Sequence, residues 1–142
     1  MVDRELALEK IANLRRCEAR IRPYLATRSG GFARDLAAQD IVFLNLQRAI
    51  QATIDLGAHI LADQDWGAAP SQAAVFELLA QHGVVPAALA GRLKRLVKLR
   101  NVLVHEYVKV DPGKAFRGLA GFLRDLDRFA RAVVTRFRLH GR

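Results

Sequence analysis

The chain has 142 residues, 51% of them hydrophobic and 26% charged. These values fit one domain with its own core and exclude a disordered chain. Lysine and arginine total 23 against 14 acidic residues, a net charge of +9. That excess attracts polyanions such as nucleic acid, but it also fits a domain that is merely rich in arginine. A single cysteine, Cys17, excludes an internal disulfide framework and a cysteine-based zinc site. It reads as a small hydrophobe on a helix. No apolar run approaches the ~18 residues of a membrane span. The opening MVDRELALEK lacks the apolar stretch of a signal peptide, so the expected location is the cytoplasm.

Taken in order, every element reads as helix. The first is predicted over roughly Asp3 to Arg22, capped by Asp3 and ended by Pro23. Arg28-Ser29-Gly30-Gly31 is predicted as a loop, followed by a long helix over Phe32 to Ala62. The next loop, DQDWGAAP, places Trp66 as a lid on the core. Ser71 is a candidate cap for a short helix ending near Gly83, with His82 at its end. Pro86 fits the first turn of a helix running to about Tyr107. Asp111-Pro112-Gly113 reads as a turn, and a last helix covers Lys114 to Arg138. Long helices with short connections predict an all-α fold: one domain over 1–142, an antiparallel bundle of about five helices.

The stretch RNVLVHEY, Arg100 to Tyr107, carries the unusual chemistry. With Leu93 at zero on a helical wheel, Leu96, Val97 and Val104 fall within about 60° of it. Arg100 falls at about −20° and Tyr107 at about −40°, both inside this apolar stripe. An unpaired buried guanidinium is costly, so Arg100 must meet a carboxylate, a subunit boundary or an anion. Lys94, Lys98, Asn101 and His105 form a second, polar face. Asn101 and His105 are four apart and can touch. Histidine exchanges protons near neutral pH, and arginine stabilises charge on phosphate oxygens. In RNA the nucleophile is already present as the 2′-hydroxyl, so such a pair suffices without metal or cofactor. His59, His82, His105 and His140 are scattered and show no metal-ligand spacing.

RNVLVHEY resembles the signature of HEPN-domain proteins, and its His-x-Tyr extension resembles the HepT-type toxins. Residues 39–61 and 71–85 extend the resemblance, which covers most of residues 33–111. It implies a ribonuclease toxin whose Arg100 and His105 meet their copies at a homodimer cleft. Arg100 would clamp the scissile phosphate, His105 would move protons, and Asn101 would orient one of them. Tyr107 would receive AMP from an MntA-type nucleotidyltransferase antitoxin. Two other readings stay open: a non-catalytic module that docks such an enzyme, and a basic helical protein that binds RNA without cutting it. Lys94, Lys98 and Arg48, with Gln51, are weaker candidates for RNA contact. Asp55 and His59 read as a structural or interfacial pair. Arg124, Arg128, Arg131 and Arg138 read as a solvated face, with an RNA track as the lesser reading.

Overall fold

The computed structural model describes residues 3–139, all of whose regular elements are helical. His140 lies outside the described residues. Six α-helices follow in order: α1 (Arg4–Ile21), α2 (Ser29–Arg34), α3 (Leu36–Asp63), α4 (Ala74–Gln81), α5 (Ala87–His105) and α6 (Pro112–Arg136). Short 3-10 turns cover Arg22–Ala26 and Tyr107–Lys109. The helices enclose one core, with α1 packed along α3, and α5 packed against α3, α4 and α6.

Capping residues set the main boundaries. The Asp3 carboxylate accepts from the Leu6 amide, as the sequence predicts. The amide of Asp3 donates to Asp63 Oδ2 at 2.6 Å, which ties the start of α1 to the end of α3. Pro23 enters the 3-10 turn and stops α1. Glu18 is almost fully buried, and Arg15 bridges it to Asp127 on α6. Cys17 is buried, and burial pushes its thiol above the ordinary value, as suits a small hydrophobe.

Several boundaries differ from expectation. Ser29 to Arg34 is a helix and not a loop. Two glycines oppose a helix there. Phe32 overrides them: it is buried, with its ring centroid 5.6 Å from that of Phe43 and 4.9 Å from that of Phe116. Asp35 then caps α3 by accepting from the Ala38 amide at 3.0 Å, so the long helix starts at Leu36. Asp111-Pro112-Gly113 opens α6 instead of making a separate turn. Asp111 accepts from the Lys114 amide, and Pro112 takes the first helical position. Pro86 is the cap residue before α5 and not part of its first turn. Ser71 Oγ does accept from the Ala74 amide at 3.2 Å, although α4 itself begins only at Ala74.

His59 pairs with Asp63 at 3.1 Å, not with Asp55, which accepts from Gln51 at 2.8 Å. Both are local helix pairs, so their structural character stands while the expected partners change. Trp66 packs partly buried against the core and stacks on His82, the cap residue of α4.

Gly57 lets α3 and α4 approach closely. A Cβ there would lie 2.6 Å from Val75 Cγ1 and 3.1 Å from Leu79 Cδ1. Gly57→Val is expected to destabilise the fold by about 1–3 kcal/mol through overpacking. A urea midpoint equal to wild type would show that α3 and α4 can separate without cost.

Candidate active site

The α5 helix delivers Arg100 and His105 to one end of the bundle. Arg100 is half-buried, and its Nε is shielded from solvent with no hydrogen-bond partner. Its Nη1 donates to Asn101 Oδ1 at 3.1 Å. No carboxylate pairs with Arg100 among the described residues. The expected contact between Asn101 and His105 is replaced by this one, because the amide oxygen turns to the neighbouring guanidinium. Asn101 therefore holds Arg100. His105 is the last residue of α5 and is exposed.

Tyr107 does not continue the helix. The last α5 bond runs from the Glu106 amide to Val102 O at 2.8 Å, and Glu106 then leaves helical geometry at φ −139° and ψ 44°. The wheel position assigned to Tyr107 therefore does not apply. Its ring instead turns edge-on to Phe43 of α3, with centroids 6.0 Å apart. Its hydroxyl donates to Asp40 Oδ1 at 3.3 Å. Partial burial, and then the negative charge of Asp40, raise the Tyr107 hydroxyl above its ordinary pKa. The group therefore stays protonated at neutral pH.

Asp40 escaped sequence reasoning. It stands 67 residues from Tyr107, so no local spacing links them.

The same end exposes apolar side chains. Val108 is 95% exposed and Leu36 73%, with Tyr107 at 43%. Ile41, Leu44 and Val104 are exposed as well. Val104 was expected in the core stripe, which Leu93, Leu96, Val97 and Leu103 do form. In its last turn α5 keeps Leu103 covered but leaves the side bearing Val104 exposed.

The weaker candidates separate. Lys98 is exposed on α5, about 10 Å along the axis from His105. Lys94 is committed to Glu77 of α4. Arg48 lies on α3 about 12 Å along the axis from Asp40. It lines a shallow cavity with Cys17, Arg20 and Asp55, away from His105. No group of three or more His, Cys, Asp or Glu side chains capable of holding a metal occurs among the described residues. No described helix is long and apolar enough to cross a membrane.

A helical bundle that ends one helix in Arg-Asn-x3-His, with no carboxylate on the arginine among the described residues, fits a HEPN-type domain. More narrowly, the chain belongs to the ribonuclease HepT-like family, whose model matches residues 14–133. The resemblance drawn from RNVLVHEY is thereby borne out, as is the all-α fold. The chain is 35% identical over 125 residues to an mRNA nuclease HepT of Shewanella oneidensis, covering 88% of this chain and 93% of that protein. It is 31% identical over 88 residues to a tRNA nuclease HepT of Aphanizomenon flos-aquae, covering 62% and 60% of the two. Among solved structures it is similar to a tri-AMPylated Shewanella oneidensis HEPN toxin in complex with an MNT antitoxin. That match has a TM-score of 0.85 and 33% identity, over 95% of this chain and 99% of the other.

Proposed function

We propose that the chain is the toxin of a toxin–antitoxin pair: a dimeric endoribonuclease neutralised by adenylylation of Tyr107. The observation that carries it is the shielded, partnerless Nε of Arg100 on the same short stretch as exposed His105. A guanidinium left unpaired in a half-buried setting is held ready for an anion. The names of the relatives support RNA as that anion, and the AMPylated toxin supports adenylylation as the neutralising modification, which we place on Tyr107.

The chemistry needs little from the protein. The 2′-hydroxyl of RNA attacks the neighbouring phosphorus, and the bond to the 5′-oxygen breaks. His105 takes the 2′-proton or returns one to the leaving oxygen. Arg100, held by Asn101, stabilises charge on the phosphate oxygens. The products are a 2′,3′-cyclic phosphate and a 5′-hydroxyl. Such a step needs no metal, and the reaction belongs in the cytoplasm with its substrate. Cleavage of RNA by purified protein in EDTA tests this directly. Intact RNA, with binding preserved, would leave only the non-catalytic readings.

The exposed apolar patch supports a two-fold seam. On one helix Arg100 and His105 lie about 140° apart, so a single chain does not converge them. A second copy placed against Leu44, Val104 and Val108 would bring its own Arg100 and His105 into the cleft. The double variant Leu44→Glu, Val108→Glu is expected to be largely monomeric by sedimentation at micromolar concentration, and inactive. Such surface changes should leave the fold within roughly 0.5 kcal/mol each. An unchanged dimer would place the seam elsewhere.

A further inference from the structure

At the opposite end of α5, a cavity of about 730 Å³ lies between the start of that helix and α6. Four of its lining residues are arginines, Arg92, Arg128, Arg131 and Arg136, and none is acidic. Four other cavities each include a carboxylate, from Asp55, Glu77 or Asp127. Arg92 is bridged to Asp125 and Arg131 to Asp127. Arg128 has no ionic partner among the described residues, and Arg136 lies over Trp66. The cavity thus keeps an excess of positive charge beside an apolar wall of Val84, Pro86 and Leu89.

A row of cations leads away from it. Arg92, Arg95 and Lys98 follow at three-residue steps on α5, and His105 completes the line. Three-residue steps drift about 60° each, so the row winds slowly round the helix. Arg95 and Lys98 are exposed, with no ion pair among the described residues. From Arg92 to His105 the row spans about 20 Å.

We propose that this cavity and row form a second RNA subsite, which takes a nucleotide of the substrate strand remote from the cleaved bond. The arginines engage its phosphates, and a base rests against the apolar wall or a guanidinium plane. The row favours a polymer over a free nucleotide, because a mononucleotide cannot reach from the cavity to His105. The proposal rests on the chain being an RNA-cleaving protein. It also favours, for Arg128 and Arg131, the RNA track that was the lesser of the two sequence readings.

The test measures binding of single-stranded RNA longer than the ~4–16 nucleotides usual for such sites, across a salt series. The host is the His105→Ala protein, so the RNA stays intact. Arg128→Glu and Arg95→Glu are each expected to weaken binding about tenfold. Each should also reduce the salt slope by about one. In the otherwise wild-type enzyme, both should lower kcat/KM for long RNA and leave cleavage of a dinucleoside monophosphate unchanged. Arg16→Glu on exposed α1 is the control for net charge. If it weakens binding equally, or if neither test variant does, the subsite is overturned. ATP binding lost in Arg128→Glu, with RNA binding intact, would assign the cavity to a free nucleotide and overturn it. So would loss of antitoxin binding alone. Failure of the wild-type protein to cut RNA would sink the enzyme reading, while the salt slopes would still decide the subsite.

Discussion

His105→Ala is expected to lower kcat/KM for RNA by about 10²–10⁴, the usual contribution of a positioned acid–base group. Arg100→Ala should lose about 10²–10³, as for other removed donors to a developing anion. Both proteins should remain folded. His105 is exposed, and Arg100 leaves behind only the exposed Asn101 amide, which water can satisfy. Arg100→Lys is expected to recover little, because a lysine keeps the charge but not the planar fork. The assay is cleavage of end-labelled RNA in EDTA, with the melting temperature measured in parallel. Wild-type rates in both alanine variants would move catalysis away from this helix end.

Adenylylation of Tyr107 should nearly abolish cleavage. AMP brings bulk and negative charge into a cleft that recruits phosphate, so sterics and repulsion act together. In the transfer itself, the Tyr107 oxygen attacks the α-phosphorus of ATP and pyrophosphate leaves. The phenolic proton must go to an acceptor, since the Tyr107 hydroxyl is held above its ordinary pKa by partial burial and then by Asp40. Asp40 is already hydrogen-bonded to that hydroxyl. With the nucleotidyltransferase and ATP, intact mass should rise by one or more AMP units, and Tyr107→Phe should show no gain. Asp40→Asn keeps the hydroxyl but removes the carboxylate, so modification should slow at least tenfold without being lost. A gain that survives Tyr107→Phe would place the modification on another residue.

The long helices were legible because their signals are local. Asp3, Pro23, Ser71 and the apolar periodicity all act within a turn or two. What stayed hidden depends on distant partners. The α2 helix forms over two glycines because Phe32 reaches Phe43 and Phe116, contacts that no short window contains. The Arg100 and His105 pair stood out by residue type, and Arg100 is one of five side chains with a buried polar atom left without a hydrogen-bond partner among the described residues. The wheel failed at Val104 and Tyr107 for two physical reasons. Glu106 ends the helix before Tyr107, and an apolar stripe reports burial only where another helix covers it. The hydrogen bond from Tyr107 to Asp40 closes a loop of 67 residues, beyond the reach of spacing arguments.

The central claim is a ribonuclease site that two copies of residues 100–107 complete together. Mixing Arg100→Ala protein with His105→Ala protein, after exchange of subunits, tests it most directly. In a mixed dimer, one cleft holds the intact Arg100 of one chain and the intact His105 of the other. RNA cleavage should therefore reappear, approaching one working site per mixed dimer, although each variant alone is about a hundredfold or more impaired. A mixture that forms dimers yet stays as inactive as its components would contradict a site shared between chains.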